Sequence, residues 1–359
     1  MIIDSHVHCR DEGWAGKGET IEHMIGIAPD CGVIGLFDMP NNKPETTTRE
    51  RVKHRLELAR QAQEKHQNGT FYGLFVGVTS DPGQIVGAVQ MYDEFNPGTF
   101  EGERGVVGLK MFAGRSTGDL AIVDEDDQKR VYEVLTDAGY KGPLVVHCEK
   151  EAFIERRKFT AVMPWTHNDA QPEQAETESI YDQIDFAKRA GYEGRLHIAH
   201  VTTPTGAELV DGERGNLKIS CGVNPAHLIL STEQMYTLGG VYLKVNPPIR
   251  PPTTRDELLG CFLRGMIDTL ESDHAPHTLD EKVFSHMSGL PQFAAWPEII
   301  MMLRGRGALQ ADLDKMTFYN VNKIYGTQIE AKLGLRGKIG KHVERYTFNP
   351  YKFLKKDDA

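Results

Sequence analysis

Met1-Ile2-Ile3-Asp4-Ser5-His6-Val7-His8-Cys9-Arg10-Asp11 opens the chain as an apolar run that turns polar within a few residues. In a strand, side chains alternate between the two faces. On that reading Asp4, His6, His8 and Arg10 share one face, and Ser5, Val7 and Cys9 share the other. Two neutral imidazoles side by side are common ligands of a first-row divalent metal, and an arginine just beyond them offers a planar fork suited to a carboxylate. An isolated pair of histidines at this spacing fits a polar edge strand equally well. The decision therefore rests on whether other strands end in the same way.

Further apolar, β-branched runs follow at 33–39, 71–78, 105–112, 144–149, 196–201, 217–223 and 267–275, which with 2–8 makes eight. Several are apolar throughout, as parallel strands covered on both faces are. Helical stretches lie between them at 47–66, 124–138, 176–190, 205–210 and 255–263, some opening on Thr, Ser or Asp suited to N-caps. The alternation predicts an α/β protein, a (β/α)8 TIM barrel over 1–335 with a short C-terminal extension at 336–359. An insertion at about 150–177 follows the fifth strand, a long proline-rich loop at 224–252 follows the seventh, and two further helices are expected at 292–304 and 313–325.

In such a barrel, functional side chains gather at the C-terminal ends of the strands. His6, His8 and Arg10 end the first run, Asp38-Met39-Pro40-Asn41 the second, His147 the fifth, His200 the sixth and Asp273 the eighth, while Lys110 lies in the fourth. Four histidines, an aspartate and a lysine meeting at one mouth read as a metal constellation. Lys110, among the apolar residues of GVVGLKMF, is pushed toward the neutral amine by burial and by nearby cations. A neutral amine adds carbon dioxide to give a carbamate able to bridge two ions. A lysine snorkelling at the strand end and a Schiff-base lysine are the alternatives. Strand parity turns His197, His274 and Cys148 toward the surrounding helices, aligns His277 with Asp273, and leaves His23, His54, His66, His286 and His342 in solvated helical or loop positions.

Composition narrows the partners. The 359 residues carry 41 Lys+Arg against 51 Asp+Glu, a formal net charge of −10, which disfavours nucleic acid and favours a small-molecule substrate. The cysteines Cys9, Cys31, Cys148, Cys221 and Cys261 are odd in number and scattered, which speaks against a disulfide framework and for a reducing cytoplasm. No leader and no membrane-length apolar run is expected.

The set HVHCRD, DMPNNKPET, GLKMF, VVHCE, HIAHVTTP, KVNPPIR and SDHAPHT resembles the dihydroorotases of the amidohydrolase superfamily, from the first strand to about residue 340. HxHxRD together with MPN separates these from hydantoinases and allantoinases, which share the ligands but lack the arginine. The resemblance implies that His6, His8 and Asp273 hold one Zn2+, that His147 and His200 hold the other, and that carbamylated Lys110 bridges them. It further implies that Arg10, Asn41 and His277 bind the substrate carboxylate, that Asn246 and the backbone near Gly289 contact the ring, and that Ser116 and Thr117 belong to a loop that closes over substrate.

The implied reaction is reversible hydrolysis of L-dihydroorotate to N-carbamoyl-L-aspartate by a hydroxide between the two zinc ions, with Asp273 as general base and then general acid. A homodimer, with possible association with a transcarbamoylase, is the expectation. A hydantoinase- or allantoinase-type cyclic amide hydrolase and a catalytically silent scaffold are the rival readings. The chain departs from the family around Cys221-Gly222-Val223-Asn224-Pro225-Ala226-His227, where members often carry a glutamate and a PHH triplet, and it begins directly at the first strand, without the N-terminal part of a small β-sandwich.

Overall fold

The computed structural model describes residues 1–11, 19–99, 102–116, 118–331, 335, 337–346 and 348–354. Eight parallel strands form one sheet in sequential order: β1 (Ile2–Val7), β2 (Val33–Asp38), β3 (Phe71–Gly77), β4 (Arg104–Ala113), β5 (Pro143–Cys148), β6 (Arg195–Ile198), β7 (Ile219–Val223) and β8 (Thr269–Leu270). A parallel bridge between Val7 and His274, with His8 N donating to His274 O at 2.9 Å, joins the last strand region to the first. The fold is the expected (β/α)8 barrel. β8 is far shorter than the run at 267–275, because the residues after Leu270 leave the ladder to carry the site.

The layer around the barrel holds α1 (Ile21–Ile27), α2 (Arg49–His66), α3 (Pro82–Phe95), α4 (Glu125–Asp137), α5 (Glu173–Arg189), α6 (Pro204–Glu213), α7 (Pro252–Leu263) and α8 (Trp296–Gly305). Thr48 caps α2 through the Arg51 N–H, and Asp124 caps α4 through the N–H groups of Asp126 and Asp127, each satisfying donors that a helix start leaves open. α3 had no counterpart in the expected helices. Its opening Asp81-Pro82-Gly83 has the composition of a turn, yet Asp81 is the N-cap and Pro82 the first helical residue. The insertion after β5 folds as three 3₁₀ turns and a four-residue helix, His167–Ala170, and α5 begins at Glu173, inside the expected 150–177 span.

Below the site the barrel is filled. Ile3, Phe37, Phe75, Val107, Val145 and Tyr325 form an interior cluster, with the Tyr325 ring edge-on to Phe37 at 5.1 Å and to Phe75 at 5.7 Å. The helix Asn320–Tyr325 brings that tyrosine in from the N-terminal end of the barrel. The apolar plug keeps water out from below and confines polar groups to the upper end. The C-terminal segment packs on the same body: Tyr346 stacks edge-on to His274, and Tyr351 donates from its hydroxyl to Gln292 Oε1 at 2.5 Å. No helix among the described residues is long and apolar enough to cross a membrane.

Candidate active site

At the C-terminal end of the barrel, His6 and His8 from β1 meet Asp273 from the segment after β8. His8 Nε2 is 3.0 Å and His6 Nε2 is 3.4 Å from Asp273 Oδ1, and the three ligand atoms lie within 4.8 Å of one another. Across the pocket, His147 Nδ1 and His200 Nε2 are 3.1 Å apart. Each contact is of hydrogen-bond length, and the same convergence of nitrogen and carboxylate donors fits a divalent cation. Burial holds His6, His8 and His200 below the ordinary imidazole range. They are therefore neutral at pH 7, the state a metal ligand needs.

Lys110 lies under both groups, fully buried. Its Nζ has no hydrogen-bond partner and stands 5.0 Å from the centre of the Phe112 ring. Burial pushes the amine down to about 8. An orphaned, readily neutralised amine between two ligand clusters fits conversion to a carbamate. A surface-seeking lysine does not fit full burial, and nothing in the pocket's donor set calls for a Schiff base.

Two carboxylates that the sequence did not single out stand behind these ligands. Glu149 Oε2 is 3.1 Å from His147 Nε2 and is itself held by Gln171 Nε2 at 3.0 and 3.1 Å, which leaves His147 Nδ1 to face His200. It lies two residues after His147, on the same strand face, so parity carried its signal. Glu271, two residues before Asp273, is the second.

The pocket above is lined by His6, His8, His147, His200 and Asp273, by Arg10, Asn41, Ser116, Asn246 and Gly289, and by Phe112, Val245, Ala275 and Ser288. Asn41 Oδ1 lies 2.8 Å from His8 Nδ1 and fixes that ring. Arg10 is buried, and burial lowers its guanidinium to about 10, which leaves it cationic at neutral pH. The chain between His8 and Arg10 is pinned by Asp38, which accepts from Cys9 N at 2.9 Å, from the Tyr72 hydroxyl at 2.7 Å and from Arg55. Asn246 Oδ1 is held by Ser288 Oγ at 2.9 Å and His167 Nε2 at 3.0 Å. His277 stands one layer back, its Nε2 3.0 Å from Ser288 O, against the bare Cα of Gly289. Gly289 sits at φ +146°, and a Cβ there would lie 2.4 Å from Ala275 O. Thr117 lies outside the described residues.

No family model matches the chain. The dihydroorotase of Aeropyrum pernix is 29% identical over 300 residues, which cover 82% of this chain and 62% of that protein. In three dimensions the L-hydantoinase (dihydropyrimidinase) of Arthrobacter aurescens matches with a TM-score of 0.73 at 23% identity, over 90% of this chain and 70% of that one. The dihydroorotase of Saccharomyces cerevisiae in complex with 5-fluoroorotic acid gives 0.70 at 18% identity, over 93% and 85%. By sequence the chain is thus similar to dihydroorotases, and its fold is that of hydantoinases and dihydroorotases. It spans less than two thirds of the length of the Aeropyrum relative.

Two expectations drawn from strand parity are corrected by this barrel. Asp4 does not share the His6 face. It points into the helical layer, where it accepts from Ser272 N at 3.0 Å and Trp296 Nε1 at 2.7 Å, while Ser5 turns inward to Glu271 at 3.4 Å. The cause is a register shift between Asp4 and Val7, where three steps on β1 match two on β2. His197 likewise faces the interior, its ring 5.9 Å from Tyr325, because the chain leaves the ladder after Ile198 and reaches His200 at φ +36°. His274 and Cys148 do face the helices, as parity predicts: His274 Nε2 pairs with Glu19 at 3.2 Å, and Cys148 joins the outer core. His23, His54, His66, His286 and His342 are half-buried rather than solvated, and none lines the pocket.

Proposed function

We propose that this protein is a metal-dependent dihydroorotase of the amidohydrolase superfamily that interconverts L-dihydroorotate and N-carbamoyl-L-aspartate, with ring closure as the biosynthetic direction. The observation that carries the reading is that Arg10 and Asn41 line the same pocket as His6, His8 and Asp273. A substrate joining a cyclic amide to an exocyclic carboxylate engages both sets at once. Hydantoin and allantoin offer no such carboxylate to the guanidinium fork. The curated relatives support the same reading: several at 25–29% identity are named dihydroorotase.

The donor set fits two divalent cations, proposed as zinc. His6, His8 and Asp273 would hold one, His147 and His200 the other, and Lys110, as a carbamate, would stand between them. Carbamylation proceeds by attack of the neutral Nζ lone pair on the carbon of carbon dioxide, with loss of one amine proton. When bound, the ions supply Lewis-acid polarisation of the ring carbonyl and lower the pKa of water from about 15.7 toward about 7.

The chain's own groups do the rest. Arg10 and Asn41 orient the substrate through its carboxylate, Asn246 and the backbone at Gly289 meet the ring, and Ser116 lies at the pocket edge. Asp273, raised above the ordinary carboxylate range by burial, is a stronger base than a solvated aspartate. It takes the proton of the attacking water and returns it to the leaving ring nitrogen. A cytoplasmic homodimer, with association with a transcarbamoylase, completes the proposal; light scattering and co-purification test those parts.

The testing experiment follows the loss of dihydroorotate absorbance with zinc-replete protein, with hydantoin and allantoin run beside it. Turnover of dihydroorotate alone upholds the reading. Turnover of hydantoin in its place favours a second reading, which the relative named L-hydantoinase, 26% identical over 90% of this chain, keeps in view. No turnover by protein carrying its metal overturns both and leaves a silent scaffold.

A further inference from the structure

Glu271 is fully buried inside the barrel, directly beneath the ligand clusters. Its Oε1 accepts from His200 N at 2.7 Å and faces His6 Nδ1 at 3.7 Å. Its Oε2 lies 3.4 Å from Ser5 Oγ and 3.5 Å from His197 Nε2. The room for it comes from Gly222 on β7, where a Cβ would sit 2.5 Å from the Glu271 carboxyl carbon. One carboxylate thus touches groups from β1, from the end of β6 and from the space beside β7, around the seam where the barrel closes.

We infer that Glu271 is a positioning residue for both halves of the metal centre, acting on His6 through its ring and on His200 through its backbone. A carboxylate facing Nδ1 selects the His6 tautomer protonated there, and so presents the Nε2 lone pair toward His8 and Asp273. The bond to His200 N stabilises a left-handed backbone that a non-glycine residue adopts only at a cost, and that conformation carries His200 Nε2 to His147. Ser5 Oγ donates to the second carboxylate oxygen, which also faces His197 Nε2, and so sets the plane of the group. Buried negative charge beneath two cations also offsets their mutual repulsion. Glu271 touches no substrate and moves no proton.

The inference rests on the metal-binding reading of the site, and the experiment separates the two. Zinc affinity of the full chain is measured by competition with a chromophoric chelator, with metal content after dialysis, for wild type, Glu271→Gln, Glu271→Ala and the double variant Gly222→Glu/Glu271→Ala. Loss of an outer-shell partner typically weakens metal binding about 10- to 100-fold. Glu271→Ala is expected to lose affinity in that range for both ions. Glu271→Gln keeps an acceptor for His200 N but no anion toward His6, and is expected to weaken one ion more than the other. The double variant directs a new carboxylate into the same space from β7 and is expected to recover part of the affinity.

Phe75→Leu, in the apolar plug below, serves as the stability control and is expected to bind zinc as wild type does. Wild-type zinc affinity in a folded Glu271→Ala protein overturns the inference. So does equal loss in Glu271→Ala and Phe75→Leu, or no recovery in a folded double variant. A wild type that binds no zinc overturns the metal reading itself.

Discussion

The floor and the rim of the pocket are built in different ways. On the floor, His6, His8, His147 and Lys110 sit on strands or one residue beyond them, and each histidine faces a polar neighbour behind its ring: Asn41 behind His8, Glu149 behind His147, Glu271 behind His6. On the rim, Asn246 and Gly289 come from loops with little regular structure and are held by side chains of short helices and other loops. Lys282 donates to Lys244 O, Met287 O and Gly289 O at 2.8, 2.8 and 2.9 Å, and His167 and Ser288 hold Asn246. The floor takes its geometry from the barrel ladder. The rim is positioned by side-chain ties between loops and short helices, so selectivity can change there while the ligand set stays fixed.

If that division is correct, floor variants move kcat and metal content, and rim variants move KM. The largest effect is expected for Asp273→Asn, with kcat lowered about 10²- to 10⁴-fold, the range for loss of a general acid–base. Near-normal turnover in a metal-loaded protein would remove Asp273 from its proposed role. Lys110→Ala is expected to lose metal and to lower activity more than about 100-fold, with partial recovery on adding a short carboxylic acid that fills the vacated space. Retention of both ions without it would break the bridging role.

On the rim, Arg10→Lys is expected to raise KM about tenfold with a smaller change in kcat, because an ammonium cannot form the two-pronged contact. An unchanged KM would count against a carboxylate at that position. Lys282→Met removes the ammonium that joins the carbonyls of Lys244, Met287 and Gly289, of which Lys244 O alone keeps another donor among the described residues, Gly289 N. It is expected to cost about 2–4 kcal/mol of stability in a denaturant titration and to raise KM, with zinc content unchanged.

The smallest effect concerns Lys244, whose Nζ is 2.7 Å from Ser288 Oγ and whose amine is pushed down to about 8 by burial. Protonated below that pH and neutral above it, Lys244 loses its attraction for an anionic substrate as pH rises through 8. KM is expected to rise roughly twofold between pH 7 and pH 9, about 0.5 kcal/mol, and Lys244→Met should flatten that rise. A steeper rise in Lys244→Met would assign the titration elsewhere.

Much of the floor was legible because a parallel barrel places its strand ends at one mouth, so histidines at the ends of the first, fifth and sixth runs had to converge. Alternation misleads where the ladder breaks. At β1 the register shift turns Ser5 and His6 inward together, and after Ile198 the chain turns His197, Ala199 and His200 the same way. Parity holds only while the backbone stays extended, and a bulge or a left-handed residue resets it. α3 is illegible for a related reason, since Asp-Pro-Gly starts a helix or makes a turn depending on whether the next residues find an apolar surface to pack against.

The sequence by itself determined the alternation of strands and helices, the ligand residue types and their place at strand ends, since period and composition are local properties that neighbouring residues enforce. Only the tertiary structure decided that Glu271 stands behind His6 and His200, and that Gly222 makes room for it. Those pairings join residues as far apart in the chain as Ser5 and Glu271, and they exist only once closure of the barrel brings β8 beside β1.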